Sequence, residues 1–322
     1  MNSRILTLGK NNKKERTKGR RWELRMNKKM NKRSMKIGRK VMGFCSAIIC
    51  SALLFQTTVC AAEAPGVNSL VYVSMNAADG TIIADRNADI PIYPASTTKL
   101  VTAMVICDVL PMDSVIVVTQ EQLNHVTPGV TKAGLQAGGE YFAYELLSML
   151  LVSSSADAAQ VLAEVTYGNT QNFVQKMNEK VQQMGLTSTH FDNIIGLDIG
   201  DGYVGTYSTA REIAIITQNA MKNGWIRTIV GLPSYAIAPR TNNGAIVKNN
   251  TNAFLIGTMP YSTNLYTIIG SKTGTTKAAG YVLAATATNG SKEIICVSAY
   301  NPDSATLYTA EKQLFDYSYS QK

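Results

Sequence analysis

The chain has only two histidines in 322 residues, His125 and His190. It contains no Gly-x-Ser-x-Gly stretch and no His-Glu-x-x-His. A Ser-His-Asp hydrolase with a nucleophile elbow is therefore disfavoured, and no zinc-protease motif is present. Both histidines read as structural or surface residues. Cysteine says little more. Cys45, Cys50 and Cys60 fall in the first sixty residues, while Cys107 and Cys296 each lie inside an apolar segment. There is no paired Cys-x-x-Cys, so neither a disulfide scaffold nor a metal site is implied, and two buried thiols are expected. No metal and no cofactor is expected. Internal repeats, low-complexity tracts and a second-domain boundary are also absent.

Charge is missing from one long stretch, Val41 to Ala62, and concentrated in another. Residues 1–40 hold 16 Lys or Arg against 2 Asp or Glu, a net of +14; from Glu63 onward 15 basic face 20 acidic residues, a net of −5. The overall +9 thus belongs to the N-terminus, and the remainder argues against nucleic-acid binding. Lys36, Arg39 and Lys40 precede the apolar run Val41 to Val59, and Ala61 and Ala62 supply small residues after it. Residues 1–62 read as a basic leader and export signal, with cleavage expected after Ala61 or Ala62. The protein is then exported, to the cell wall or the outer face of the cytoplasmic membrane. The leader is long for a signal, which makes Met30 or Met35 a candidate start. An uncleaved signal anchor is the alternative, since the apolar run is just long enough to span a membrane. Cys60 lacks the upstream leucine of a lipidation site.

Against these absences stands Ser96-Thr97-Thr98-Lys99, with Lys272-Thr273-Gly274 far downstream. A serine hydroxyl needs a base to become a nucleophile. In a helix opening at Ser96, Lys99 lies one turn on and on the same face. A lysine amine acts as that base only if burial or a neighbouring cation lowers its pKa, and Lys272 is a candidate neighbour. A Ser-x-x-Lys arises by chance about once in a chain of this length, so context matters. Pro94-Ala95 precedes Ser96 and the hydrophobic run Leu100 to Leu110 follows. Lys272 is expected on an inner strand facing that helix.

Alternation predicts strands at Leu70 to Met75 and Thr81 to Ala84, and three more at Leu265 to Ser271, Gly280 to Thr286 and Glu293 to Ser298. Between them helices are expected over Tyr141 to Val152, Ala156 to Val165 and Asn172 to Met184. Another opens on a Thr209–Glu212 capping box and runs to Met221. Gly129 to Gly139 reads as irregular, and a last helix runs from Asp303 to Tyr317. Its apolar residues Leu307, Leu314 and Phe315 fit either packing on a sheet or peripheral membrane contact. The fold class is α+β, an antiparallel sheet built from both chain ends with helices packed beside it and a helix-rich middle. Tyr261, Tyr266 and Tyr281 could line a cleft, although core or surface packing is the reading favoured for each.

Together Tyr93 to Lys99, Leu146 to Ala159, Phe191-Asp192-Asn193 with Gly196-Leu197, Ser208 to Arg211 and Gly270 to Gly280 resemble one family. It is that of the serine-type D-alanyl-D-alanine carboxypeptidases, the low-molecular-mass penicillin-binding proteins (peptidase S11-like), over nearly all of residues 65–320. The resemblance implies a β-lactamase/transpeptidase-like fold. It also implies Ser96 as acylated nucleophile, Lys99 as general base and Ser154 as proton relay. Lys272, Thr273, Gly274 and Thr275 would bind substrate, and the N–H groups of Ser96 and Thr275 would form the oxyanion hole. The partners implied are the peptidoglycan stem peptide and, as inhibitors, β-lactams. Only 48 residues follow Gly274, so residues 63–322 are expected to be the catalytic domain alone, with no additional C-terminal domain.

One position departs from the family. Its middle motif is Ser-x-Asn, whereas here Ser154-Ser155-Ala156 precedes Asp157-Ala158-Ala159. A shifted frame, Ser155-Ala156-Asp157, would put a carboxylate in the asparagine's role; the unshifted frame keeps Asp-Ala-Ala in place. The missing amide motivates a second reading, a weakly active or non-catalytic peptidoglycan and β-lactam binder. A β-lactamase, a third, would need a carboxylate to activate water. Glu164 is near in sequence but reads as a helix-face residue.

Overall fold

The structure is a computed structural model that describes residues 63–198, 205–241 and 244–321. The expected export signal, residues 1–62, lies outside the described residues. Five strands form the central antiparallel sheet: β1 (Val71–Asn76), β2 (Ile82–Arg86), β7 (Thr267–Thr276), β8 (Gly280–Thr288) and β9 (Glu293–Asn301), in the order β2-β1-β9-β8-β7. β1 pairs antiparallel with β9, Val73 opposite Val297, so the sheet is built from both ends of the described chain. Two short ribbons, β3 (Val115–Val117) with β4 (Glu140–Phe142) and β5 (Ser234–Ile237) with β6 (Ile246–Asn249), lie outside it.

Alternation along each strand divides the interior in two, because successive side chains leave opposite faces. Val71, Val73, Val282, Ala284, Ile295 and Val297 face the larger core, whereas Tyr72, Leu283, Ala285, Ile294 and Cys296 face the smaller. The larger core is closed by helices α1 (Lys99–Val109), α3 (Ala143–Val152), α4 (Ala156–Tyr167), α5 (Thr170–Gln183) and α6 (Ala210–Ala220). α4 is nearly all buried over its first two turns, from Ala156 through Ala163. Each fully buried Leu or Phe contributes about 1.5–3 kcal/mol, so this middle layer holds the sheet and the site together. Short helices α2 (Gln120–Asn124) and α7 (Gly224–Val230) complete it.

The smaller core is covered by the last helix, α8 (Ser304–Ser320). Leu307, Leu314 and Phe315 are all buried there, so their apolar character serves packing on the sheet. Asp303 caps α8 by accepting from the Thr306 N–H at 2.7 Å. The expected capping box at Thr209 is only half formed. Thr209 accepts from the Glu212 N–H at 3.1 Å, but the Glu212 carboxylate turns away to the N–H groups of Thr187 and Ser188 and the Thr189 hydroxyl. Among the described residues no helix is long and apolar enough to cross a membrane.

Candidate active site

Ser96 sits in a 3-10 turn, Ala95–Thr98, that runs directly into α1 at Lys99. A 3-10 turn has three residues per turn, so residues i and i+3 eclipse. This places Lys99 over Ser96 more directly than the α-helix expected from sequence would. Lys99 Nζ lies 2.8 Å from Ser96 Oγ and donates to the Ile195 carbonyl at 3.3 Å. The turn is strained at its start, where Ala95 has φ 48°. Thr97 steadies it by donating to the Pro94 carbonyl at 2.6 Å.

The loop carrying Ile195 packs so tightly on this turn that residue 196 must be glycine. Gly196 has φ 80°, and a Cβ there would stand 1.8 Å from the Ala95 carbonyl oxygen. Asn193 holds the loop: its Oδ1 accepts from the N–H groups of Ile195, Gly196 and Leu197 at 3.2, 2.7 and 3.0 Å. The Phe191-Asp192-Asn193 and Gly196-Leu197 matches therefore shape the floor beneath Lys99.

Lys272 and Gly274 lie on β7. That strand is at the edge of the sheet, not inside it as expected. An edge strand keeps part of its backbone N–H and C=O groups without a sheet partner, open to an extended ligand. Gly274 allows β7 to approach the serine: a Cβ there would come within 2.9 Å of Ala95 Cβ and 3.0 Å of the Ser96 nitrogen. Lys272 is buried, and its Nζ donates to the Thr273 carbonyl at 2.8 Å.

Among the described residues neither lysine is paired with a carboxylate. Burial drives the Lys99 pKa well below the ordinary lysine value, and the charge of Lys272 lowers it further. Burial alone brings Lys272 down to about 7. In its neutral form, which both causes favour, an amine 2.8 Å from a hydroxyl can take its proton.

Ser154 occupies the corner between α3 and α4 with φ 59°, a second strained residue at the site. Its neighbours anchor that corner. Ser153 Oγ lies 3.0 Å from the Met149 carbonyl, 2.7 Å from Ser155 Oγ and 2.8 Å from the Tyr235 hydroxyl. Ser154, Ser96, Thr273, Gly274 and Thr275 line one cleft of about 230 Å³. Ser155 is fully buried. Asp157 is not part of the cleft lining either, and its carboxylate accepts from the N–H groups of Ala133, Gly134 and Leu135 at 2.9, 2.9 and 3.1 Å. The unshifted frame, with Ser154 first, is the one this geometry fits.

Ala156 lines a different cavity, of about 480 Å³, together with Asn193, Ile194 and Ile195. Glu164 is engaged elsewhere as well. Its Oε1 meets His125 Nδ1 and Gln160 Nε2, each at 2.7 Å, in a third cavity. Among the described residues no carboxylate lines the Ser96 cleft. Among the described residues no group of three or more His, Cys, Asp or Glu side chains could hold a metal ion. Cys107 and Cys296 are free thiols, both with pKa raised by burial.

Several cleft residues escape the sequence reading. Thr131, Thr251, Ser304, Leu307 and Tyr308 line it, and so does Tyr281, for which cleft lining is the less favoured of two readings from sequence. Tyr266 does pack, stacked on Tyr319 at 5.0 Å. The helix α8 delivers Ser304 and Tyr308, so a terminal helix that reads as sheet packing also closes the site.

Comparison with known proteins agrees with this arrangement. The family model for peptidase S11, D-alanyl-D-alanine carboxypeptidase, matches residues 58–301. The chain belongs to this family. A D-alanyl-D-alanine carboxypeptidase of Streptomyces sp. strain K15 is 32% identical over 263 residues, 77% of this chain and 86% of its own length. One from Escherichia coli K12 is 31% identical over 259 residues, 76% of this chain but 60% of the relative. Among solved structures, a D-alanyl-D-alanine carboxypeptidase of Mycobacterium tuberculosis has a TM-score of 0.71 at 28% identity, covering 81% of this chain and 95% of that one. The Streptomyces K15 DD-transpeptidase has a TM-score of 0.72 at 28% identity, covering 80% and 98%. The fold is that of the DD-peptidases, and the protein is a serine hydrolase of the S11 carboxypeptidase family.

Proposed function

We propose that this chain removes the terminal D-alanine from peptidoglycan stem peptides through an acyl-enzyme on Ser96, and that β-lactams acylate the same oxygen. The observation that carries the reading is the buried Lys99 amine 2.8 Å from Ser96 Oγ, its pKa lowered by burial and by the charge of Lys272, with no carboxylate paired to either lysine among the described residues. Lys99 takes the Ser96 proton as Oγ attacks the carbonyl carbon of the penultimate D-alanine. The N–H groups of Ser96 and Thr275 receive the oxyanion, where one donor is worth about a 10²–10³ factor in rate. The tetrahedral adduct collapses, its C–N bond breaks, and the departing amine takes a proton relayed through Ser154. Water then attacks the ester, and Ser96 recovers its proton. Thr273, Gly274 and Thr275 bind the substrate along the β7 edge, and Lys272 supplies positive charge behind them for the terminal carboxylate.

Residues 1–62 serve in this reading as the export leader or anchor and 63–322 as the catalytic domain, which places the enzyme outside the cytoplasm at the cell wall. The alternative of a non-catalytic binder rests on Ala156. Release of D-alanine from diacetyl-Lys-D-Ala-D-Ala by the purified protein decides between them. Turnover that disappears in Ser96→Ala supports the carboxypeptidase; a protein that binds the peptide without releasing D-alanine is a binder.

A further inference from the structure

Among the described residues the lining of the Ser96 cleft includes no arginine and no lysine. Lys272 Nζ points to the Thr273 carbonyl and Lys272 is 1% exposed. A terminal carboxylate in this cleft therefore meets hydroxyl groups first. Thr273 is one. A second stands beside it: Thr273 Oγ1 donates to Thr251 Oγ1 at 2.5 Å. A threonine hydroxyl has one hydrogen and two lone pairs. Because Thr251 accepts this bond, its own hydrogen is left to donate into the cleft, which Thr251 lines.

Thr251 is also unusually well placed by its neighbours. It is the exposed residue between two buried asparagines, Asn250 and Asn252. Asn250 donates its side-chain amide to the Leu232 carbonyl at 2.8 Å and accepts from the Asn252 N–H at 2.8 Å. Asn252 Oδ1 accepts from the Phe254 N–H at 2.9 Å. The Thr251 N–H donates to the Val152 carbonyl at 3.1 Å, two residues before Ser154. Its carbonyl accepts from the Tyr308 hydroxyl of α8 at 3.4 Å. The backbone of residue 251 is thereby tied to the helix before Ser154, to α8 and, through its side chain, to β7.

We propose that Thr251 is a specificity-determining residue that grips the substrate's terminal carboxylate jointly with Thr273. The two hydroxyls, bonded to each other in the free enzyme, each donate to one carboxylate oxygen when substrate enters. The charge of Lys272 behind Thr273 supports the pair through the cleft wall. This rests on the carboxypeptidase reading above and names the group that makes it specific for a free C-terminus.

The test compares two acyl donors on wild type, Thr251→Val and Thr251→Ser. One is diacetyl-Lys-D-Ala-D-Ala, whose leaving group carries a carboxylate; the other is diacetyl-Lys-D-Ala methyl thioester, whose leaving group carries none. For Thr251→Val, kcat/KM on the free-acid peptide should fall about ten- to a hundredfold further than on the thioester, the effect of one lost hydrogen bond to a charged group. Thr251→Ser should restore most of the difference. Equal losses on both donors, with serine failing to rescue, would make Thr251 a structural tie and overturn the proposal. So would no loss on either. A wild type that turns over the thioester but not the peptide would instead sink the carboxypeptidase reading itself.

Discussion

Each face of the central sheet buries ionisable groups without an opposite charge, and the two faces use them differently. On the larger-core side are Lys99 and Lys272, with Lys272 paired across the strands to Ala284. On the smaller-core side is Glu311 of α8, fully buried, with Oε1 accepting from Ser298 Oγ at 2.8 Å and Oε2 without a protein partner. Burial depresses the lysines and raises Glu311 to about 8. The same desolvation shifts both faces' groups towards their neutral forms, although Lys272, at about 7, still carries charge for part of the time at neutral pH. The lysine pair abuts a cleft that a carboxylate-bearing ligand can enter, whereas Glu311 is sealed among Ser298, Cys296, Tyr308 and the apolar residues of α8. A perturbed pKa marks chemistry only when a nucleophile and an open volume stand beside it.

Substitutions that remove each buried ion should separate these roles. The largest effect is expected from Lys99→Met. It should lower the rate of Ser96 acylation by about 10²–10⁴, the span of general-base catalysis. It should also leave the fold as stable or more so, because an unpaired buried amine is replaced by apolar volume. Stopped-flow acylation and a denaturant titration check both halves; a destabilised variant would show that Lys99 is structural.

Lys272→Met should move a pH profile rather than abolish a rate. Lys272 lowers the Lys99 pKa through its positive charge. Removing that charge raises the Lys99 pKa, so the acidic limb of kcat/KM for the thioester shifts to higher pH. Lys272→Arg, which keeps a positive charge, should leave the limb near its original place. An unmoved limb in Lys272→Met would uncouple the two lysines.

The smallest effect on catalysis is expected from Glu311→Gln, and its signature is confined to stability. The folded-state pKa of Glu311 lies near 8, above its unfolded value of 4.5. Between those pH values the unfolded chain has released the proton and the folded chain has kept it. Stability therefore falls as pH rises from 4.5 towards 8, by at most about 1.4 kcal/mol per unit from this group, and levels off above. Glu311→Gln should flatten that slope in urea titrations while D-alanine release stays within twofold or so, since Glu311 bonds to Ser298 and not to Ser96, Lys99, Ser154 or Lys272. A slope unchanged by the substitution would mean that Glu311 ionises freely in the native state.

Much of this was legible in the chain. The sheet from both ends, the helix after Ser96 and the Lys-Thr-Gly strand follow from period-two and helical patterns, because burial enforces those periods. Ser96 and Lys99 are legible because one turn of helix decides their distance. Three features were not. The edge position of β7 depends on which strands pair, a long-range matter that alternation cannot encode. Thr251 is placed by two asparagine side chains and by Val152 and Tyr308, contacts across up to 99 and 57 residues of chain, of which only the local Asn-Thr-Asn was visible. Glu212 meets the capping-box spacing but turns to Thr187 to Thr189, a tertiary competition that local spacing does not reveal.

The most direct test of the account is intact mass spectrometry of the purified protein after incubation with benzylpenicillin, with Ser96→Ala alongside. The account predicts one covalent adduct that maps by peptide digestion to Ser96 and is absent from the variant. A folded wild-type protein that forms no adduct, or an adduct that persists in Ser96→Ala, would contradict Ser96 as the nucleophile that Lys99 activates.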